Sequence, residues 1–250
     1  MEKSRNKKSG LDKLDVTTEK HQIEVENGEE ISAVHHKSDS DKWIFFCHGF
    51  GSNKEGSYEA RAERAVEEGF NAARFDFRGN GESDGCFKEQ FLSDKIDDLK
   101  ACVEYFDPDR VLLFGMSFGG KVVFHAARDV DAEVVVGKSP VTYNSVMDKF
   151  REAVEENGEF TLFEDKTITA DFYTDLDTYD FREAVEGLDV PVAIFHGGAD
   201  TTVHFENSAK AVKELDGEAL LYKLKGEKHS LSDDGEAKMQ DMMFSWLENL

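Results

Sequence analysis

Cysteine, proline and positive charge are all scarce in this chain, and each shortage excludes something. Only Cys47, Cys86 and Cys102 occur among 250 residues. An odd number at irregular spacing excludes a disulfide-stapled scaffold and fits a reducing cytoplasm, the expected location. Three prolines, with no internal repeat and no low-complexity stretch, exclude a repeat array or a flexible linker. No run of 18 or more apolar residues exists, so no transmembrane helix is expected. The basic segment Met1-Glu-Lys-Ser-Arg-Asn-Lys-Lys-Ser-Gly10 is not followed by an apolar stretch, so no secretory signal is expected. Thirty Lys and Arg against 53 Asp and Glu leave a net charge of -23. Such a field repels nucleic acid and anionic membranes and favours solubility. Two readings of the acidity stand side by side. One is a salty cytoplasm, where a Debye length of about 3 Å at 1 M screens the self-repulsion. The other is an ordinary acidic enzyme, and 21 Lys to 9 Arg fits the most extreme salt-adapted cases less well.

What is present suffices for one domain. Hydrophobic residues make up 39% of the chain, enough for a substantial core at this length. Residues 1–20 are polar and read as an N-terminal extension, with 21–250 as the single domain. Gln22–Glu26 and Ile31–Val34 alternate apolar and polar residues around Asn27-Gly28, a hairpin signal. Trp43–Cys47, Asn71–Phe77, Val111–Phe114, Glu133–Val136, Val190–Phe195 and Ala219–Leu224 are apolar strands. Helical spacing runs through Tyr58–Glu68, Ser93–Phe106, Lys121–Arg128, Phe205–Leu215 and Gly235–Leu247. In the second of these, Ser93 is the expected N-cap, and Ile96, Leu99, Val103 and Phe106 share one face. Alternating strands and helices predict an α/β fold with a mostly parallel sheet covered on both faces. Residues 140–186 break the rhythm. They are acidic and aromatic (Tyr143, Phe150, Phe160, Phe163, Phe172, Tyr173, Tyr179 and Phe181), with a short hairpin expected around Phe160–Thr169.

The most informative segment is Arg110-Val-Leu-Leu-Phe-Gly-Met-Ser-Phe-Gly-Gly120. An apolar strand runs into Gly115-Met116-Ser117-Phe118-Gly119, and a helix follows. This strand–turn–helix context is what a G-x-S-x-G motif requires: the turn strains the Ser backbone and holds its hydroxyl out at the strand end, and the glycines allow close packing. A Ser between glycines is otherwise a common turn residue, so the neighbouring strand ends matter. Gly197-Gly198-Ala199-Asp200 follows one strand, Lys228-His229-Ser230 follows the last, and His48-Gly49-Phe50-Gly51 follows an early one.

With Ser, Asp and His in that order and an earlier His-Gly loop, the chain resembles the α/β-hydrolase superfamily from about Ile23 to the C-terminus. The resemblance implies the α/β-hydrolase fold, with a mostly parallel central sheet, an antiparallel N-terminal hairpin, helices on both faces and a small cap insertion at about 140–186. His-Gly-Phe, a compact cap and the loop Asp76-Phe-Arg78-Gly-Asn-Gly-Glu-Ser83 look like small carboxylesterases of the cinnamoyl/feruloyl esterase-like branch, although many branches share that loop.

On this resemblance Ser117 is the nucleophile, weak until a base takes its proton. His229 is that base, returning the proton to the leaving group. Asp200, just past the strand that supplies the acid in the superfamily, fixes the imidazole tautomer. The backbone N–H groups of Phe50 and Phe118 form the oxyanion hole. Among the aromatics, Phe50, Tyr143, Phe172 and Tyr173 are candidates to line the substrate cleft. The implied partner is a small ester, neutral or apolar because an anionic substrate meets an acidic cap. No cofactor is expected, and the chain is read as a monomer or homodimer.

Other features carry bland readings. His48 and His196 orient loops; His21, His35, His36, His125 and His204 have no assigned role. No Cys/His cluster shows metal-ligand spacing, and His35-His36 is not a site by itself, so no metal is expected. Gly79-x-Gly81 with Gly85 fails the dinucleotide spacing. Cys47 and Cys102 behave as small core residues. Asp76 and Arg78 brace the loop after their strand, and Lys138 is left unassigned. Within enzymes, a thioesterase, a monoacylglycerol-type lipase or a small serine peptidase is the alternative. Large peptidase relatives carry an N-terminal propeller, and about 40 residues precede the first core strand here. A catalytically silent binding module is the reading from another class.

Overall fold

In the computed structural model, which describes residues 16–163 and 166–250, the chain forms an eight-stranded sheet with helices on both faces. The elements follow in the order β1 (Thr18–Glu24), β2 (Glu30–His36), β3 (Lys42–Cys47), α1 (Ser57–Glu67), β4 (Asn71–Phe75), α2 (Leu92–Phe106), β5 (Arg110–Met116), α3 (Phe118–Ala126) and β6 (Val134–Lys138). Then come α4 (Arg151–Asn157), β7 (Glu159–Phe163), β8 (Lys166–Thr169), α5 (Ala170–Leu176), α6 (Phe181–Val185), β9 (Val192–Gly197), α7 (Phe205–Ala211), β10 (Ala219–Leu224) and α8 (Asp233–Leu247). Strand order is β1-β2-β4-β3-β5-β6-β9-β10. β1 and β2 are antiparallel to their neighbours, and every pairing from β4 to β10 is parallel.

The expected opening hairpin is present, and its strands are longer than the sequence pattern suggests. Of the stretch read as a polar extension, Thr18–Lys20 already pair with β2, and residues 1–15 lie outside the described part. Asn27 and Gly28 take positive φ in the connection, at 62° and 75°, a conformation that Asn and Gly tolerate at low cost.

The strands bury both faces because successive side chains alternate. Phe45 and Cys47 of β3 join a core covered by α2 and α3. Ile44 and Phe46 point the other way, against α1 and α8. Uninterrupted apolar runs are what such doubly covered parallel strands require. α2 begins at Leu92, so Ser93 lies inside the helix and is not its cap. The Asp94 carboxylate accepts the N–H of Phe91 at 2.7 Å, and Asp175 accepts those of Leu92 and Ser93 at 2.8 and 3.2 Å. A carboxylate from a distant segment thus meets donors that a helix start leaves without intrahelical partners.

Between β6 and β9 the chain leaves the sheet and carries α4, the β7–β8 pair, α5 and α6. Phe160 pairs with Ile168 and Thr161 with Thr167, where a short hairpin was expected; positions 164 and 165 of that expectation lie outside the described residues. Val154, Ile168, Phe172, Tyr173, Leu176, Phe181 and Val185 are buried in the same apolar cluster as α2 and α3. This excursion therefore rests on the main core.

Candidate active site

All the loops singled out by sequence leave the C-terminal ends of parallel strands, the edge at which open α/β sheets bind ligands. Ser117 directly follows β5, His48-Gly49-Phe50 follows β3, Asp200 lies three residues past β9, and His229 five past β10. Ser117 has φ 55° and ψ -118°, the strained conformation expected of a residue held out on a sharp strand-to-helix turn. Its N–H donates to the carbonyl of Lys138 at 3.0 Å, and its own carbonyl accepts from Gly120 and Val141 at 3.0 and 2.8 Å. The flanking glycines are there for space. A Cβ on Gly115 would run into the backbone of Gly119, and one on Gly119 into the carbonyl oxygens of Cys47 and His48.

The structure brings Ser117, His229 and Asp200 into one line. His229 Nε2 is 2.9 Å from Ser117 Oγ, and His229 Nδ1 is 2.7 Å from Asp200 Oδ2. A carboxylate only accepts, so Nδ1 carries the hydrogen and Nε2 presents its lone pair to the Ser hydroxyl. Asp200 is buried, and its other oxygen accepts the N–H groups of Thr202 and Val203 at 2.8 and 3.0 Å. Burial works against its charge. Hydrogen bonds from His196 and His229, with that of Val203, outweigh burial and hold the carboxyl far below the usual carboxylate range.

His196 is part of this arrangement, which loop-orienting histidines in the sequence only hinted at. Its Nε2 donates to the carbonyl of Val203 at 2.8 Å and lies 3.2 Å from Asp200 Oδ2, while Nδ1 meets Ser208 Oγ at 2.7 Å. His48 is equally fixed. Nδ1 donates to the carbonyl of Gly49 at 2.8 Å, and Nε2 accepts the N–H of Phe77 at 3.1 Å. Burial pushes its pKa down to about 4, so it is a neutral strut for the loop that carries Phe50.

That loop abuts the Ser. A Cβ on Gly49 would sit 3.5 Å from Ser117 Cβ. Phe118 opens α3, so its N–H is one that the helix leaves without an intrahelical partner. The two expected N–H groups therefore stand on the segments bordering Ser117.

A cleft of about 270 Å³ opens over Ser117 and His229, lined on the sheet side by Phe50, Met116 and Phe118 and on the excursion side by Met147, Phe150, Leu162 and Phe163. Lys149 brings a positive charge to its wall, above the Phe150 ring. Of the four aromatics expected to line it, Phe50 does. The other three are corrected. Phe172 lies behind Phe50 and Phe118, with ring centroids 5.4 and 6.1 Å away. Tyr173 is buried and donates from its hydroxyl to the Met147 carbonyl at 2.9 Å. Tyr143 donates to Glu214 at 2.9 Å. Phe172 and Tyr173 thus back the wall through Phe50, Phe118 and Met147, while Tyr143 packs its ring on Phe181. Each tyrosine satisfies its O–H on a nearby acceptor, as amphipathic phenols do.

The expected braces are also in place. Asp76 accepts the N–H and the ammonium of Lys54, each at 2.6 Å, and Arg78 binds Asp98 through its N–H and Nε at 2.8 and 2.6 Å. Lys138, unassigned by sequence, donates to Glu236 Oε2 at 2.6 Å, while Arg61 Nε donates to Oε1 at 2.5 Å. The carboxylate between two cations is held down to about 2 against the cost of burial, whereas burial and Arg61 push Lys138 down to about 8.

Residues 57–250 match the prolyl oligopeptidase family. The chain belongs to this family. It is an α/β-hydrolase, and its relatives include esterases. It is 25% identical over 238 residues to the bifunctional esterase/perhydrolase DCH of Acinetobacter calcoaceticus, covering 75% of this chain and 85% of that one. Over 107 residues it is 35% identical to the quorum-quenching protein AidA of Acinetobacter baumannii (strain MDR-ZJ06), a match over 40% of this chain that spans about a third (35%) of the relative's length. In fold it is similar to Est1E of Butyrivibrio proteoclasticus, solved with ferulic acid bound, with a TM-score of 0.81 at 22% identity over 92% of this chain and 98% of the other. Among the described residues no helix is long and apolar enough to cross a membrane.

Proposed function

We propose that this α/β-hydrolase cleaves small carboxylic esters through an acyl-enzyme formed on Ser117. The observation that carries the reading is the continuous line Asp200–His229–Ser117, at 2.7 and 2.9 Å, ending under an apolar cleft. His229 Nε2 takes the hydroxyl proton as Ser117 Oγ attacks the ester carbonyl. Asp200 stabilises the imidazolium and holds its tautomer. Negative charge developing on the carbonyl oxygen meets the N–H groups of Phe50 and Phe118; losing one such donor costs on the order of 3 kcal/mol of barrier. His229 then protonates the departing alkoxide, and the acyl group stays on Ser117. Water, deprotonated by the same Nε2, attacks the acyl carbonyl and releases the acid.

The cleft volume, about 270 Å³, lies at the small end of ligand sites, which suits a short or aromatic acyl group. Est1E, solved with ferulic acid bound, holds an aromatic acid, and the relative DCH is an esterase/perhydrolase. The family match favours one second reading, hydrolysis of short peptides by the same residues; an extended peptide needs more room than this cleft offers. Hydrolysis of p-nitrophenyl esters from acetate to long chains, for wild type and Ser117→Ala, tests the proposal. Activity on the shorter esters that vanishes in the variant is expected. A folded wild type inert to every ester but active on short peptidyl anilides supports the second reading, and inertness to both leaves a binding module.

A further inference from the structure

Glu19 and His21 stand two residues apart on β1, and His35 lies directly across from Glu19 on β2. Side chains two apart on a strand share a face, and so do directly opposed residues of an antiparallel pair. The possible ligand atoms of the three lie within 4.8 Å of one another, and among the described residues no other His, Cys, Asp and Glu group meets that test. No linear spacing reveals the cluster, because its members come from two strands and only the register unites them.

Both imidazoles are already oriented from behind. Tyr105 Oη lies 3.1 Å from His21 Nδ1, and Phe106 meets the ring edge-on at 5.1 Å. The remaining nitrogen, Nε2, is buried, has no hydrogen-bond partner, and lies 3.8 Å from Glu19 Oε2. His35 stacks on Trp43 with centroids 4.3 Å apart. Its Nε2 faces Asn71 Oδ1 at 2.8 Å, an oxygen that also accepts the N–H of Ser38. Nε2 therefore carries the hydrogen, and Nδ1 keeps its lone pair. Metal-binding histidines are held this way, with the second ring nitrogen bonded to an outer acceptor that fixes tautomer and orientation. Glu19 is exposed and ion-paired with Lys37 at 2.5 Å, so its carboxylate can swing and already faces a cation.

We propose that Glu19, His21 and His35 bind one divalent transition-metal ion of the zinc type. Two imidazole nitrogens and one carboxylate oxygen suit Zn²⁺, Co²⁺ or Ni²⁺ over Mg²⁺ and Ca²⁺, which prefer oxygen alone. Three protein ligands leave a fourth tetrahedral position for water. Drawing ligand atoms together from 4.8 Å to the roughly 3.4 Å of a tetrahedral site falls mainly on the flexible Glu19 arm. β1 is the edge strand, four strands from the β5 end that carries Ser117, about 19 Å at ordinary strand spacing. The ion therefore clasps the β1–β2 edge and does not touch the reacting atoms.

The test is titration of the chelator-stripped full chain with Co²⁺ and then Zn²⁺, in a large excess of Mg²⁺ to occupy the acidic surface. One equivalent of Co²⁺ with the intense visible absorption of four-coordinate cobalt is expected, displaced by Zn²⁺ and accompanied by a higher Tm. His21→Ala and His35→Gln should each weaken Zn²⁺ binding at least tenfold, and the exposed Glu19→Gln several-fold. Circular dichroism checks that the variants fold, and should His35→Gln fail, His21→Ala and Glu19→Gln decide alone. Weak, octahedral cobalt spectra, full competition by Mg²⁺, or affinities unmoved by the variants would overturn the proposal and reduce the binding to adventitious pairing with surface carboxylates.

Discussion

Replacing Glu236 by Gln removes the carboxylate that the buried cations Arg61 and Lys138 share. Arg61 is fully buried over the rings of Tyr58 and Phe114, and Lys138 is 3% exposed. Breaking a buried pair from one side costs about 3–5 kcal/mol, because the partner charge stays behind without water. The depressed pKa of the carboxyl corresponds to a similar figure. Lowering its pKa from 4.5 to about 2 corresponds to about 3 kcal/mol. Against a total stability of about 5–15 kcal/mol, that is a large fraction. Urea unfolding at pH 7 should therefore show the midpoint falling by roughly 1 M or more at an ordinary slope. Two pH signatures accompany it. In wild type a depressed acid pKa gives stability that is present above pH 4.5 and lost as pH falls towards about 2; the variant lacks that loss. Lys138, pushed down to about 8 from 10.5, binds more protons unfolded than folded between those values, so its contribution to stability rises with pH across that window. Without Glu236 the Lys138 pKa falls further, so the variant recovers stability from a lower pH upward. Because the Lys138 carbonyl accepts the Ser117 N–H, activity should fall along with stability. A midpoint shift worth less than about 1 kcal/mol, with no recovery on raising the pH, would refute the reasoning.

Asp200→Asn should lower kcat by a factor of order 10⁴, as the amide no longer selects the tautomer with Nε2 free, with the fold intact by circular dichroism; steady-state kinetics on a p-nitrophenyl ester reads it. Gly119→Ala drives a methyl into the carbonyls of Cys47 and His48, so it should cost several kcal/mol or prevent folding, whereas Gly158→Ala, a position with open space but φ 82°, should fold and lose about 1 kcal/mol; urea midpoints compare them. If the -23 charge is an adaptation to salt, Tm should climb between low and molar NaCl as self-repulsion is screened; a flat profile by calorimetry returns the acidity to an ordinary enzyme's.

The sheet was legible because its strands are apolar on both faces and end in glycine-rich turns, and the site residues sit at those ends. The strand-end turns made Ser117, Asp200 and His229 stand out, and the roles expected of them came from the resemblance to the α/β-hydrolase superfamily. The excursion between β6 and β9 was not legible, because α4, α5 and α6 are seven, seven and five residues long, too short to display a helical period. Its aromatics look equivalent in sequence. Only packing separates Phe150 and Phe163, which face the cleft, from Phe172 and Tyr173, which stand behind it. Ser93 looked like a cap because the competing carboxylate, Asp175, comes from 82 residues away. Lys138 gave no signal of its role, since its partner Glu236 lies 98 residues further on.

The measurement that bears most directly on the account is labelling with a fluorophosphonate ester followed by intact mass and peptide mapping. One adduct per chain is expected, on Ser117, formed by wild type, greatly slowed in His229→Ala and absent in Ser117→Ala. A folded wild type that takes up no label, or a label that maps to another residue, contradicts it.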